Sequence, residues 1–265
     1  MSTSRRVAIL TPVAAALAAS LRGVPAWAGT RQDDGTVWPG FPQQNPELAR
    51  DTVGAAHSDL DKVRDLTDRH PSLVNAAWDW GFGDWETALG AASHTGRREI
   101  AELLIARGAR IDLFAAAMLG RLEAVRALIE AQPGIARTPG PHGIPLLAHA
   151  RAGKDAAAAV VEYLLTVPGS GEGPKTEPLD ATAMTRYAGE FSLPGGGGFA
   201  IGVDRERLAF SFDGHGKRFL NYVGADEFFP VGVPSVRFRF TIQEARADTV
   251  EIRDHDLRVI GTRRD

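Results

Sequence analysis

Gly96-Arg97-Arg98-Glu99-Ile100-Ala101-Glu102-Leu103-Leu104-Ile105 and Gly120-Arg121-Leu122-Glu123-Ala124-Val125-Arg126-Ala127-Leu128-Ile129 share one frame: a glycine, an arginine, then aliphatic residues at helical spacing. Ser58-Asp59-Leu60-Asp61-Lys62-Val63-Arg64-Asp65-Leu66 fits it too. So does Gly153-Lys154-Asp155 followed by Val160-Val161-Glu162-Tyr163-Leu164-Leu165. Small residues precede each stretch: Gly54-Ala55-Ala56, Ala91-Ala92-Ser93, Ala115-Ala116-Ala117 and Ala148-His149-Ala150. A first helix that packs close to its neighbours selects alanine, and a glycine then turns the chain because it tolerates positive φ. The second helix supplies a Leu, Ile and Val stripe that no unit can bury alone, so stacked units share one core.

Over residues 46–167 this pattern resembles the ankyrin repeat, in about four units. Thr87-Ala88-Leu89-Gly90-Ala91-Ala92 stands where that family has Thr-Pro-Leu-His-x-Ala, and Gly108-Ala109-Arg110-Ile111-Asp112 where it has Gly-Ala-Asp-Val-Asn. The anchors at 58, 96, 120 and 153 depart from the family period of about 33 residues. The first gap is too long and predicts an enlarged finger; the second is too short and predicts a lost one. The outer units are read as atypical caps.

The enlarged finger holds Asn75-Ala76-Ala77-Trp78-Asp79-Trp80-Gly81-Phe82-Gly83-Asp84-Trp85-Glu86, with three of the chain's five tryptophans. The resemblance implies that fingers and first helices line a concave binding face. Trp78, Asp79, Trp80, Phe82, Asp84 and Trp85 are therefore the candidate partner-binding residues: rigid apolar area with a polar rim. Two readings stand side by side. The tryptophans either face a partner or fold inward to cap the first unit.

From about Leu179 the texture changes to aromatics and Val or Ile alternating with charges. The spacing predicts strands over 187–191, 199–203, 207–212, 219–223, 237–242, 249–253 and 257–262, separated by turns at 194–198, 213–216 and 254–256. Tyr187-Ala188-Gly189-Glu190-Phe191, Leu208-Ala209-Phe210, Asp226-Glu227-Phe228-Phe229 and Val236 to Phe240 resemble the small lipocalin-like β-domain that follows serine β-lactamase-like hydrolases. The hydrolase domain itself is absent. The expected fold is thus multidomain α plus β, a helical ankyrin-type solenoid followed by a small antiparallel β-barrel-like domain at 179–265. Residues 168–178, rich in Gly and Pro, read as a flexible linker.

Arg5 and Arg6, the apolar run Val7–Leu21, the helix-breaking Gly23-Val24-Pro25 and the Ala26-Trp27-Ala28 cleavage pattern lay out a signal peptide over 1–28. Ser4-Arg5-Arg6 resembles the start of a twin-arginine signal, with Ala8 in place of the usual Phe. The mature chain is expected in the periplasm or secreted, opening on a linker at 29–45, with no stable membrane span after cleavage. A net charge of −3 argues against nucleic acid, which calls for a basic face. The absence of cysteine excludes disulfides, thiolate metal sites and cysteine nucleophiles.

No catalytic, cofactor or metal motif emerges. Gly169-Ser170-Gly171-Glu172-Gly173-Pro174-Lys175-Thr176 lacks the Gly before Lys that a phosphate loop needs. The Gly195–Gly198 run reads as a hairpin loop. The histidines at 57, 70, 94, 142, 149, 215 and 255 are scattered, no two at ligand spacing on one helix, and Asp254-His255-Asp256 reads as a turn. Neither Ser-x-x-Lys nor Gly-x-Ser-x-Gly occurs. The leading expectation is a non-catalytic exported scaffold that binds a protein partner through the finger and first helices. The alternative is a small apolar ligand carrier, or an enzyme accessory subunit, with a pocket in the β-domain near Phe199, Phe210, Phe228 and Phe238. A third reading is a purely structural envelope protein.

Overall fold

The computed structural model describes residues 44–132, 134–212 and 216–264. Its contacts divide the chain after Leu48, and Ala49–Asp265 hold together as one compact unit. The leader expected over 1–28, and the linker expected over 29–45 apart from Gln44 and Asn45, lie outside the described residues. Among the described residues no helix is long and apolar enough to cross a membrane.

The helical half runs α1 (Pro46–Ala55), α2 (Leu60–Arg69), a 3-10 turn at Pro71–Asn75, a hairpin, then α3 (Ala88–His94), α4 (Arg98–Ala106), α5 (Leu113–Met118), α6 (Leu122–Ala131), α7 (Leu146–Ala152) and α8 (Ala158–Leu165). The hairpin is β1 (Ala77–Asp79) paired with β2 (Trp85–Thr87). Side-chain caps start four of these helices: Asn45, Asp59, Thr87 and Asp112 accept the N–H of Glu47, Lys62, Gly90 and Ala115. The pairing follows the expected units, with α3 on α4, α5 on α6 and α7 on α8. The Ala-rich helices α3, α5 and α7 also pack on one another. Close packing is literal here. Gly120 sits at φ +75°, and a Cβ on it would lie 2.0 Å from the carbonyl oxygen of Ala156. The finger expected between the first two units is the β1–β2 hairpin, and Gly108–Asp112 carries no hairpin.

The C-terminal half is a closed antiparallel barrel of eight strands. In chain order they are β3 (Gly189–Ser192), β4 (Gly198–Asp204), β5 (Arg207–Phe212), β6 (Arg218–Gly224), β7 (Glu227–Pro230), β8 (Arg237–Gln243), β9 (Arg246–Asp254) and β10 (Leu257–Arg263). Neighbours in sequence pair, and β10 closes the circle on β3 through Thr262–Ser192 and Arg263–Phe191. Alternation sets the faces. In β8, Phe238 and Phe240 are buried, while Arg237 and Arg239 face outward to pair with Glu227. Phenylalanines 191, 199, 210, 228, 238 and 240 fill the interior. The strand the spacing did not predict is β7. It is four residues long, ends on a proline and buries the consecutive Phe228 and Phe229, so it shows no alternation.

A short helix, α9 (Ala181–Met184), precedes the barrel, and Tyr187 after it enters the barrel floor against Phe228 and Phe240. Its hydroxyl donates to Asp226 at 2.6 Å. Residues 168–178 carry no helix or strand, yet they are tied at both ends. Buried Ser170 donates to the Leu164 carbonyl and accepts the Leu147 N–H through its own carbonyl. The Glu177 N–H donates to Tyr222 in β6.

Candidate functional site

The hairpin tip is built by its own sequence. The Asp79 carboxylate accepts the N–H groups of Gly81 at 2.8 Å and Gly83 at 3.1 Å. This closes a tight turn of the kind Asp favours. Gly81, Phe82 and Gly83 all sit at positive φ, and Phe82 is thrust forward at φ 58°. The ring lands in the barrel mouth, 5.9 Å from Phe210 and 6.3 Å from Phe238 between centroids. That mouth is the end of the β3–β4 and β5–β6 loops, opposite the floor occupied by Tyr187.

Arg218, the first residue of β6, locks the tip in place. Its guanidinium donates to the Trp80 carbonyl at 2.8 Å, the Gly81 carbonyl at 3.3 Å and the Asp84 carboxylate at 3.2 Å. Beside this junction lies a cavity of about 490 Å³, lined by Trp80, Phe82, Leu193, Phe210, Phe212 and Arg218 together with glycine backbone.

Behind Trp80 lies a polar cluster. Four groups, His57 after α1, Glu86 in β2, His94 at the end of α3 and His142 in the loop before α7, each offer a ligating atom within 4.8 Å of the others. The Glu86 side chain is fully buried, 2.9 Å from His94 Nε2 and 3.4 Å from both His57 Nε2 and His142 Nε2. The Trp80 indole N–H donates to its Oε2 at 2.7 Å. Asp84 accepts the His142 ring Nδ1 at 2.9 Å and the His142 backbone N–H at 2.9 Å. His149 in α7 lies next to the cluster, its Nδ1 2.9 Å from the Ser93 hydroxyl. Gly232, in the loop after β7, comes so close that a Cβ would meet Asp84 Oδ2 at 2.6 Å.

The electrostatics follow from burial against pairing. For Glu86, burial works to raise the pKa, but His142 and His94 beside the carboxylate bring it down to about 2. Burial likewise opposes ionisation of Asp84, and the His142 hydrogen bonds and the Arg218 charge hold it below the usual carboxylate value. Burial works against a charged His142, yet the hydrogen bond to Asp84 and the Glu86 carboxylate beside the ring hold its pKa up at about 9. His149 is pushed down to about 3, by burial first and then by His94 beside it, and stays neutral.

The six residues singled out from the sequence divide here. Trp80, Phe82 and Asp84 turn toward the barrel and the cluster. Trp78 and Asp79 are half-buried, and Trp85 points outward at 63% exposure. Among the expected pocket phenylalanines, Phe210 lines the cavity and Phe228 a smaller one of about 150 Å³ with Leu179, Met184 and Tyr222, while Phe199 and Phe238 are interior packing. Sequence reading passed over His57, Glu86, His94, His142 and Arg218, because the three histidines sit on different units. One signal was available. His57 and His94 both stand at the ends of first helices in successive units, and stacked repeats bring equivalent positions together. His255, in the Asp254-His255-Asp256 turn, is exposed. The chain matches no protein-family model, and no curated protein matches it.

Proposed function

We propose that this protein is an exported binding protein for a small apolar ligand, seated where the hairpin tip meets the barrel mouth. The observation that carries the reading is the cavity of about 490 Å³, walled by Trp80, Phe82, Leu193, Phe210 and Phe212 with Arg218 as its charged group. Its volume falls inside the range of about 300–1,000 Å³ common for small-molecule sites, and an apolar wall with few polar groups is their usual make-up. Arg218 is already engaged by three oxygens, so the ligand is a mostly apolar or aromatic molecule rather than a multiply charged one. Under this reading the helical half is an ankyrin-type array whose enlarged finger serves its own barrel, and the barrel is lipocalin-like. Support for the first comes from the stacked helix pairs, and for the second from eight-strand closure. Export rests on the leader-like sequence of residues 1–28.

The test is titration with the neutral apolar fluorophore N-phenyl-1-naphthylamine, against the wild type and Gly216→Leu. Gly216 lines the cavity, and a Cβ added there meets open space. Saturable uptake near one probe per chain, weakened roughly tenfold or more in the filled variant, supports the reading. Absence of saturable uptake, or equal uptake by both proteins, refutes it. The protein-scaffold reading keeps one specific observation, the exposure of Trp85. Loss of a co-purifying protein on Trp85→Ala, with fluorophore uptake unchanged, would favour it.

A further inference from the structure

We infer that His57, Glu86, His94 and His142 form a binding site for a divalent first-row cation of the zinc class, separate from the apolar cavity and on the other side of Trp80. The donor set is three imidazoles and one carboxylate, the nitrogen-and-oxygen chemistry that suits Zn²⁺. Bonds of about 2.0–2.1 Å place tetrahedral ligand atoms about 3.4 Å apart along each edge. Glu86 Oε1 lies 2.9 Å from His94 Nε2 and 3.4 Å from His142 Nε2, Glu86 Oε2 lies 3.4 Å from His57 Nε2, and one ligating atom from each of the four residues lies within 4.8 Å of the others.

Two further observations point to a ligand rather than to an internal polar latch. First, Glu86 Oε1 and His94 Nε2 are both buried and lie 2.9 Å apart, close enough to pair by charge, yet neither has a well-formed hydrogen bond. A buried polar atom without a hydrogen bond destabilises the fold, and a coordinated cation removes that cost. Second, the outer nitrogens of two imidazoles are already anchored. His57 Nδ1 faces the Val53 carbonyl at 3.1 Å and the Gly54 carbonyl at 3.2 Å, and His142 Nδ1 faces Asp84 at 2.9 Å. That arrangement turns each Nε2 toward Glu86, as carbonyl and carboxylate partners do for metal-bound histidines. Trp80 fixes the carboxylate by holding its other oxygen. A latch between hairpin and loop would need one histidine; this cluster supplies three.

Four protein ligands complete a tetrahedron, so the site is structural in type. It pins the end of α1, the hairpin, the end of α3 and the 141–143 loop at one point. Loading the site therefore braces the finger whose tip enters the barrel mouth.

The experiment uses the whole chain, free of any affinity tag, stripped with chelator and titrated with Co²⁺ and then Zn²⁺. One Co²⁺ per chain with intense visible absorption, displaced by Zn²⁺, is expected. Excess Zn²⁺ should raise the Tm by about 5–10 °C. Glu86→Gln and His57→Asn should each weaken uptake by roughly a hundredfold or more, and His255→Ala should change nothing. His57 is partly exposed, so its variant reads the site even where Glu86→Gln fails to fold. Failure of the folded wild type to take up either metal overturns the proposal. So does undiminished uptake by folded His57→Asn. Gly216→Leu should keep Co²⁺ binding, so the cavity and the cation site stand or fall separately.

Discussion

Removing the Arg218 guanidinium as Arg218→Met tests whether the hairpin and the barrel form one cooperative body. The substitution keeps chain length and apolar stem but deletes three contacts at once, to Trp80, Gly81 and Asp84. Asp84 is 3% exposed in its side chain, and Arg218 is 15%. Solvent screening therefore offsets little of the loss. Breaking one side of a buried pair costs about 3–5 kcal/mol. Asp84 keeps both hydrogen bonds from His142, which argues for the lower end, and the two orphaned carbonyls argue against going below it. The expected loss is about 3 kcal/mol. With a urea dependence of about 2.5 kcal/mol per M, the midpoint falls by about 1 M. Arg207→Met is the control: it lies on the neighbouring strand β5, is exposed, and makes a 3.3 Å bond to Asn221 and a stacking contact on Phe219. It should cost under about 1 kcal/mol. If Arg218→Met unfolds within 0.2 M urea of the wild type, the lock is not what joins the halves.

Three other outcomes follow from the same geometry. The β8–β9 turn holds Glu244 at φ 47° and Ala245 at φ 67°, a turn shape that favours Asn-Gly, so Glu244→Asn with Ala245→Gly should stabilise by about 1–2 kcal/mol in urea melts; no gain would contradict the strain. Gly232→Ala should destabilise by about 2 kcal/mol or more, since Gly232 sits at φ +91° and its new methyl would meet Asp84 and the His142 backbone, and a neutral result by calorimetry would rule out that close approach. Burial raises the pKa of Asp112 despite its bonds to backbone N–H groups. A carboxyl raised on folding is penalised above its folded pKa, and the penalty disappears as pH falls through that value. Asp112→Asn, an equal helix cap, should therefore melt higher than the wild type at neutral pH, the gap closing in acid; a gap of the opposite sign at neutral pH would overturn this.

The helix pairs were legible because their cause is local. The Ala-rich stretch before Gly96 and the Leu stripe after it encode one close-packed helix and one half-buried helix within about twenty residues. The barrel strands were legible for the same reason wherever charge and aromatic alternate, as in Arg237-Phe238-Arg239-Phe240. β7 escaped because Phe228 and Phe229 are both buried, which erases the period of two. The finger's composition announced a binding element, but composition carries no direction. Trp80 and Trp85 read alike in sequence, and only the hairpin register, which pairs Asp79 with Trp85 and Trp78 with Glu86, puts them on opposite faces.

The sequence by itself determined the helix pairs, most of the barrel strands and the exclusion of cysteine chemistry, since each depends on residue types or on residues a few positions apart. The tertiary structure alone decided what the finger touches and what the scattered histidines make. Phe82 meets Phe210 and Phe238, and His57 meets His142, across long stretches of chain. Such contacts are set by how whole helices stack and how a barrel closes, through the summed burial of many side chains, and no local pattern records that sum.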